Sequence, residues 1–362
     1  MAVTREDVLK AVARVIDPAS GKTIVDADYV RAVTIEGGKV HFILEVPADL
    51  APRMEPVRKA AEEAAAALPG VEGASVLLTA HSDGGAPAPR GPAPSLKIGG
   101  HPRPQAGPMN PPNLGRIIAV GSGKGGVGKS TVSANLAVAL AQAGKRVGLL
   151  DADVYGPSQP RMMGVSQRPH SPDGQKIIPL RAHGVTMMSI GLMLNDDQAV
   201  VWRGPMLMGA LQQMLGQVDW GDLDTLIVDL PPGTGDVQLT LCQKAQVAGA
   251  VIVSTPQDVA LLDARKALDM FEKLKTPVLG IVENMSTHIC PNCGHESHIF
   301  GHGGAAAWAR EKGVPFLGSI PLDIGIRLSG DGGAPLVAAD PDAAEARVFH
   351  DLARRLIEGG IV

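Results

Sequence analysis

Residues 30–35 and 40–46 alternate apolar and polar positions on either side of Gly37 and Gly38. A period of two buries one face of a strand, and a glycine pair permits a tight reversal, so the two runs predict a β-hairpin. Before them, Thr4 is placed to cap a helix running through Ile16, with Asp7 at the capping-box position. After them, the alanine-rich stretch 55–68 predicts a helix and 74–79 a third strand. The order α-β-β-α-β over residues 1–80 predicts a small α+β domain.

From Leu114 the pattern changes. Continuous apolar runs recur at 117–120, 147–150, 226–230, 251–253 and 278–282, with helical periodicity between many of them, as at 131–143 and 258–274. Strands apolar on both sides and alternating with helices predict an α/β domain over 114–362, a mostly parallel sheet with helices on both faces. The last periodic stretch, 343–357, places Val348, Phe349, Leu352 and Leu356 at helical spacing. Its mixed charges favour a core-facing terminal helix over a membrane-surface one.

Residues 81–113 fit neither pattern. They hold nine of the chain's 29 prolines and few large apolar side chains. Such a stretch cannot bury enough surface to offset its ordering entropy, so it is expected to be a semi-extended linker.

Composition narrows the function classes. A net charge of −4 gives no general electrostatic grip on nucleic acid or an anionic membrane, and 3% aromatics gives no stacking platform for single strands. No apolar run is long enough for a transmembrane helix, and the N-terminus lacks the pattern of a signal peptide. Three cysteines do not make a disulfide framework and suit a reducing compartment, so a cytoplasmic location is expected.

The strongest chemical signal is GKGGVGKST, residues 123–131, between a buried-strand pattern and a helix. Gly123, Gly128, Lys129 and Ser130 fill the P-loop template, with Lys124, Gly125, Gly126, Val127 and Thr131 completing the segment. Glycines let successive backbone N–H groups wrap a phosphate at a helix N-terminus. Lys129 is expected to contact the β- and γ-phosphates of ATP, and Ser130 to ligate Mg²⁺. Carboxylates follow at two strand ends, where ligands bind in open α/β sheets: Asp151 and Asp153 in DADVYGPS, and Asp229 in DLPPGTGD. Asp229 resembles the Walker B carboxylate of P-loop ATPases, which holds Mg²⁺ through water, and Asp153 resembles their switch residue, which orients the attacking water. Asp151 also fits a purely structural strand-end carboxylate.

Cys290 and Cys293 form CPNC after the 278–282 strand. The pair is open to three uses: a redox dithiol, a zinc site completed by His295 and His298 or by a second chain, or half of an iron–sulfur site completed across a twofold dimer. Cys242, inside a predicted helix over 237–247, suits a small buried apolar residue.

Lys124, second in the loop, marks a resemblance to the deviant Walker A family, in which that lysine reaches across a dimer to the partner's nucleotide. The ordered set GKGGVGKST, DADVYGPS, WRGP (202–205), DLPPGTGD, ENMS (283–286) and CPNCG resembles the Mrp/ApbC iron–sulfur cluster carrier family. The match spans roughly residues 114–335, and residues 1–80 resemble the small cluster-assembly domain that many members carry. The resemblance implies slow ATP hydrolysis and a homodimer holding a 4Fe–4S cluster through Cys290 and Cys293 of each chain. It also implies transfer to apo iron–sulfur proteins, with scaffold proteins as further partners, and no nucleic acid or membrane. Asn284, with Pro321 and Asp323, is implied to contact adenine. The alternative is a partitioning or regulatory P-loop ATPase, zinc-stabilised or metal-free.

Overall fold

The structure, a computed structural model, describes residues 3–18, 21–36, 39–47, 50, 54–71, 73–81, 113–193 and 204–362. Gly37, Gly38, Trp202 and Arg203 lie outside the described residues, as does the proline-rich stretch apart from its two end residues. The chain divides into two compact units, Met1–Pro89 and Arg90–Val362.

In the first unit the elements are α1 (Arg5–Val12), β1 (Val30–Glu36), β2 (Lys39–Pro47), α2 (Glu55–Ala66) and β3 (Gly73–His81). Thr4 caps α1 in a reciprocal capping box with Asp7. The helix ends at Val12 rather than running to Ile16. Pro18 disfavours a helical Asp17, and Ile16 instead pairs with Thr23 in an antiparallel bridge. β1 and β2 pair antiparallel, while β2 and β3 pair parallel. Val8, Val12, Phe42, Leu44, Val57 and Ala61 build the core between sheet and helices.

The second unit opens with β4 (Leu114–Ser122), α3 (Lys129–Gln142), β5 (Val147–Asp151), α4 (Gln159–Met162), β6 (Leu180–Ala182) and β7 (Val185–Ser189). α5 (Gly204–Gln217), β8 (Leu223–Asp229), α6 (Asp236–Lys244), β9 (Val247–Ser254), α7 (Asp258–Lys273) and β10 (Val278–Asn284) follow. The chain ends with β11 (His288–Ile289), β12 (Glu296–Ser297), α8 (Gly304–Lys312), β13 (Phe316–Ile320), α9 (Ile324–Asp331), α10 (Leu336–Ala339) and α11 (Ala344–Glu358). Eight strands form one sheet in the order β13-β10-β9-β4-β8-β5-β7-β6, parallel except for the β6–β7 edge pair. Leu211, Leu241, Phe271 and Trp308 cover one face from α5, α6, α7 and α8. Leu136, Leu140, Phe349 and Leu352 cover the other from α3 and α11.

The expected α/β sheet is therefore present. The helix expected over 237–247 stops at Lys244, because Val247 already pairs with Ile117 of β4. β4 sits between β8 and β9, so its C-terminal end opens at the centre of the sheet. The ends of β5, β8, β9 and β10 flank it.

α11 faces the core: Phe349, Leu352 and Leu356 are buried against α3 and β13. Among the described residues no helix is long and apolar enough to cross a membrane. Phe349→Ala should destabilise this unit by about 3–5 kcal/mol, the usual loss for a buried phenylalanine. Urea denaturation followed by circular dichroism checks it; an unchanged midpoint would mean that α11 does not close the core.

Candidate functional site

The loop between β4 and α3 is shaped by what its glycines alone can do. Gly126 and Gly128 have φ of +79° and +81°, left-handed values that side chains disfavour. At Gly123 a Cβ would lie 2.0 Å from the backbone carbon of Asp263, so the loop starts in direct contact with α7. Gly128 caps α3, which places the unpaired N–H groups and positive end of a 14-residue helix at the loop. Val127 is buried, and Gly125 and Gly126 are exposed. Ser130 and Thr131 sit half-buried in the first turn of α3.

Lys129 and Asp229 form a buried ion pair, Nζ to Oδ1 at 2.6 Å. Asp229 is fully buried at the end of β8 and accepts twice more, from Ser133 Oγ at 3.0 Å and from Gln159 Nε2 at 2.8 Å. Lys129 Nζ also reaches Ser130 Oγ at 3.3 Å. Gln159 Nε2 donates to the Ser130 carbonyl at 3.0 Å, so both acceptors fix which end of the amide is nitrogen. Its oxygen is buried with no donor among the described residues. Ser130 Oγ and the Asp229 carboxylate both lie against Lys129 Nζ and are oxygen donors of the kind that suits a hard divalent cation.

Asp151 lies one strand over at the end of β5 and is fully buried. It accepts from Gln159 N, Ser189 Oγ and Asp153 N at 3.1, 3.0 and 3.2 Å. Burial, and then the nearby Asp229 charge, push its pKa up to about 7. Asp153 accepts from Gly156 N at 3.2 Å and lines a cleft of about 570 Å³ with Tyr155, Pro231, Pro232 and Asp236. Lys124 Nζ donates to Gln257 Oε1 at 3.3 Å, within its own chain.

Asn284, at the end of β10, comes to the loop: its Nδ2 donates to the Val127 carbonyl at 2.8 Å. Asp323 caps α9 by accepting from Gly325 and Ile326 N–H, and Pro321 directly follows β13. The cysteines sit on an arm between β10 and α8, on the turn of the β11–β12 hairpin. Cys290 N donates to the His295 carbonyl at 3.0 Å, and Cys293 is exposed. Hydrogen bonds from the Asn292 and Cys293 N–H groups, then from the Cys293 side chain, hold the Cys290 pKa below the usual thiol range. His298 packs against His302 instead of closing on the thiols. Among the described residues no three His, Cys, Asp or Glu side chains are grouped to hold a metal. Cys242 is half-buried, and burial raises its pKa.

Ser133, Gln159 and Gln257 are site residues that the sequence does not mark. Ser133 lies one turn beyond Lys129, a spacing that helical periodicity could expose; the other two carry no local signal.

Residues 113–357 match the model of a family described as NUBPL iron-transfer P-loop NTPase, and residues 5–77 that of iron–sulfur cluster assembly proteins. The iron–sulfur cluster carrier protein of Synechocystis sp. is 45% identical over 359 residues, covering 98% of this chain and 97% of the relative. That of Helicobacter pylori is 41% identical over 364 residues, covering 98% and 92%. A nucleotide-binding protein from Archaeoglobus fulgidus, solved in complex with ADP, superimposes with a TM-score of 0.57 at 42% identity, over 65% of this chain and 91% of that one.

An unfolded aspartate loses its proton near about pH 4, whereas folded Asp151 keeps it to about 7. Between those values the folded chain holds a proton that the unfolded chain has lost, so this group lowers stability as pH rises. Asp151→Asn should flatten that fall, stabilising the protein most at the upper end of the window. Urea midpoints of both proteins across the window check it; parallel curves would refute the shift.

Proposed function

The chain belongs to the iron-transfer P-loop NTPase family of iron–sulfur cluster carriers, and on that premise we propose that it couples ATP hydrolysis to carrying a 4Fe–4S cluster. The cluster is cargo, held across a homodimer and passed to apo iron–sulfur proteins, with scaffold proteins as its source. The observation that carries this reading is the arrangement of one sheet end: the phosphate loop follows β4, and the thiol arm leaves β10 two strands away. A cytoplasmic location goes with it, as does a division into a small domain (1–80), a linker (81–113) and an ATPase domain (114–362).

ATP lies with its phosphates in the 123–131 loop, wrapped by the N–H groups of Gly123, Gly125, Gly126, Val127, Gly128 and Thr131. Lys129 contacts the β- and γ-phosphates. Its ammonium is held by Asp229 in the structure, so phosphate and carboxylate compete for it. Ser130 would hold Mg²⁺ as a ligand and Asp229 would hold it through water; the ion would offset phosphate charge. Asp153 orients the water that attacks the γ-phosphorus; the bond to the β–γ bridging oxygen breaks and ADP departs. Lys124 leaves Gln257 and crosses to the partner's nucleotide, where it stabilises transition-state charge as an arginine finger does. Asn284 borders the adenine with Pro321 and Asp323, the last through its backbone because its carboxylate caps α9.

Each chain offers Cys290 and Cys293, and a four-thiolate cluster needs twice that, so the dimer supplies the set. The depressed Cys290 pKa favours the thiolate that binds iron.

Lys129→Ala should abolish ATP binding and hydrolysis together. Lys124→Ala should keep binding and lower turnover by about 10³-fold, since its target charge develops only in the transition state. Nucleotide titration beside phosphate-release assays separates the two; equal turnover for Lys124→Ala and the parent would defeat the crossing lysine. Anaerobic reconstitution should give about four irons per two chains. Cys290→Ser or Cys293→Ser should remove the visible absorption and favour monomer, while Cys242→Ser, His295→Ala and His298→Ala should not. One zinc per chain and no iron would overturn the carrier reading and leave the ATPase reading in place.

A further inference from the structure

β10 ends in two buried polar residues, Glu283 and Asn284, with 0% and 6% exposure. Side chains alternate along a strand, so they leave on opposite faces. Asn284 holds the phosphate loop: its Nδ2 donates to the Val127 carbonyl, and a Cβ on Gly128 would lie 2.1 Å from that nitrogen. In a planar trans peptide C=O and N–H point in opposite directions. Fixing the Val127 carbonyl toward β10 therefore aims the Gly128 N–H away from it. Glu283 holds the far end of the thiol arm: its two oxygens accept from Gly303 N at 3.2 Å and Ala305 N at 2.8 Å.

The near end of the arm is tied just as closely. Met285 takes φ +58°, a left-handed value costly for a side chain. Ser286 N then donates to the Ile320 carbonyl, and Leu322 N to the Thr287 carbonyl at 2.7 Å. A second link runs in parallel. Gln257 accepts from Lys124 in the loop, and the adjoining Pro256 carbonyl lies so close to Gly304 that a Cβ there would sit 3.0 Å away. Residues 285–303 are thus clamped at both ends by neighbours of the groups that hold the phosphate loop, while the turn with Cys293 is free of the core.

We infer that Glu283 and Asn284 are paired positioning residues, which set the thiol arm against the phosphate loop and make the arm's conformation depend on bound nucleotide. The inference rests on the proposed nucleotide and thiol sites and adds the route between them. A phosphate that draws on the Gly128 N–H shifts the peptide that Asn284 grips. A buried strand end passes that shift to Glu283 with little slack, because interiors are close-packed. By linkage the effect is reciprocal, so occupancy of the thiols alters nucleotide affinity by the same factor.

The test uses the full chain with Cys242→Ser, leaving only the two arm thiols. Alkylation of Cys290 and Cys293 by iodoacetamide is timed by mass spectrometry with and without Mg²⁺–ADP. ADP avoids turnover, and solution mass is recorded in the same samples to hold the oligomeric state constant. The expected result is a change in alkylation rate of about fivefold or more, the lower range of ordinary coupling between sites. Glu283→Gln keeps the side-chain volume but replaces one acceptor oxygen with a donor. It should reduce the ADP effect below about twofold while leaving ADP affinity as it was, which a merely structural residue would not do. Should that variant fail to fold, amide exchange over residues 288–303 in the parent, with and without ADP, reads the same coupling. A chain that binds ADP but shows no change in either measurement overturns the inference and spares the ATPase. An undiminished ADP effect in folded Glu283→Gln overturns it too. A chain that binds no ADP overturns the proposed function itself.

Discussion

The active end of the sheet depends on one fully buried carboxylate. Asp229 closes β8 with Lys129, Ser133 and Gln159 around it. These partners come from the first turn of α3, the turn after it, and the start of α4. An unpaired charge at that depth would be strongly unfavourable, and removing one partner of a buried pair typically costs about 3–5 kcal/mol. The carboxylate therefore fixes where the phosphate-loop helix starts and where the segment after β5 returns. Asp151 extends the same net by binding Gln159 and Asp153 from below. Lys129 balances the Asp229 charge, while burial beside that charge favours a protonated Asp151.

Chain direction turns this local constraint into a site. In the large sheet β13, β10, β9, β4, β8, β5 and β7 run parallel, so their C-terminal ends emerge on one side. The phosphate loop, the acidic segments and the thiol arm cannot avoid one another. The packing around them is close: Gly123 touches α7, Gly128 touches Asn284, and Gly304 touches Pro256. Glycine at these positions is a packing requirement, and at Gly128 a conformational one as well.

The thiol arm is built differently from the rest. It hangs from a core strand by backbone bonds and ends in a hairpin of two-residue strands with exposed residues at its turn. The small N-terminal unit has a separate core and, by itself, follows its sequence pattern almost element for element.

Local pattern was enough to read the repeating buried strands, the phosphate loop, the strand-end carboxylates and the CPNC pair. Each of these rests on spacing that physics ties to conformation: period two, period 3.6, or glycine before a helix. The α1 end was misjudged because a bridge from Ile16 to Thr23 competes with helix, and the 237–247 helix because β9 recruits Val247. β6 and β13 escaped because short strands at a sheet edge carry little apolar signal, and β7 because Thr186 and Ser189 break its apolar run. Only the tertiary structure could decide which groups meet. Gln159 reaches Asp229 across 70 residues, Asn284 reaches Val127 across 157, and Lys124 reaches Gln257 across 133. Composition and spacing fix what each segment can be by itself. Which buried charge finds which partner is set by strand order, and strand order is a property of the whole folded sheet.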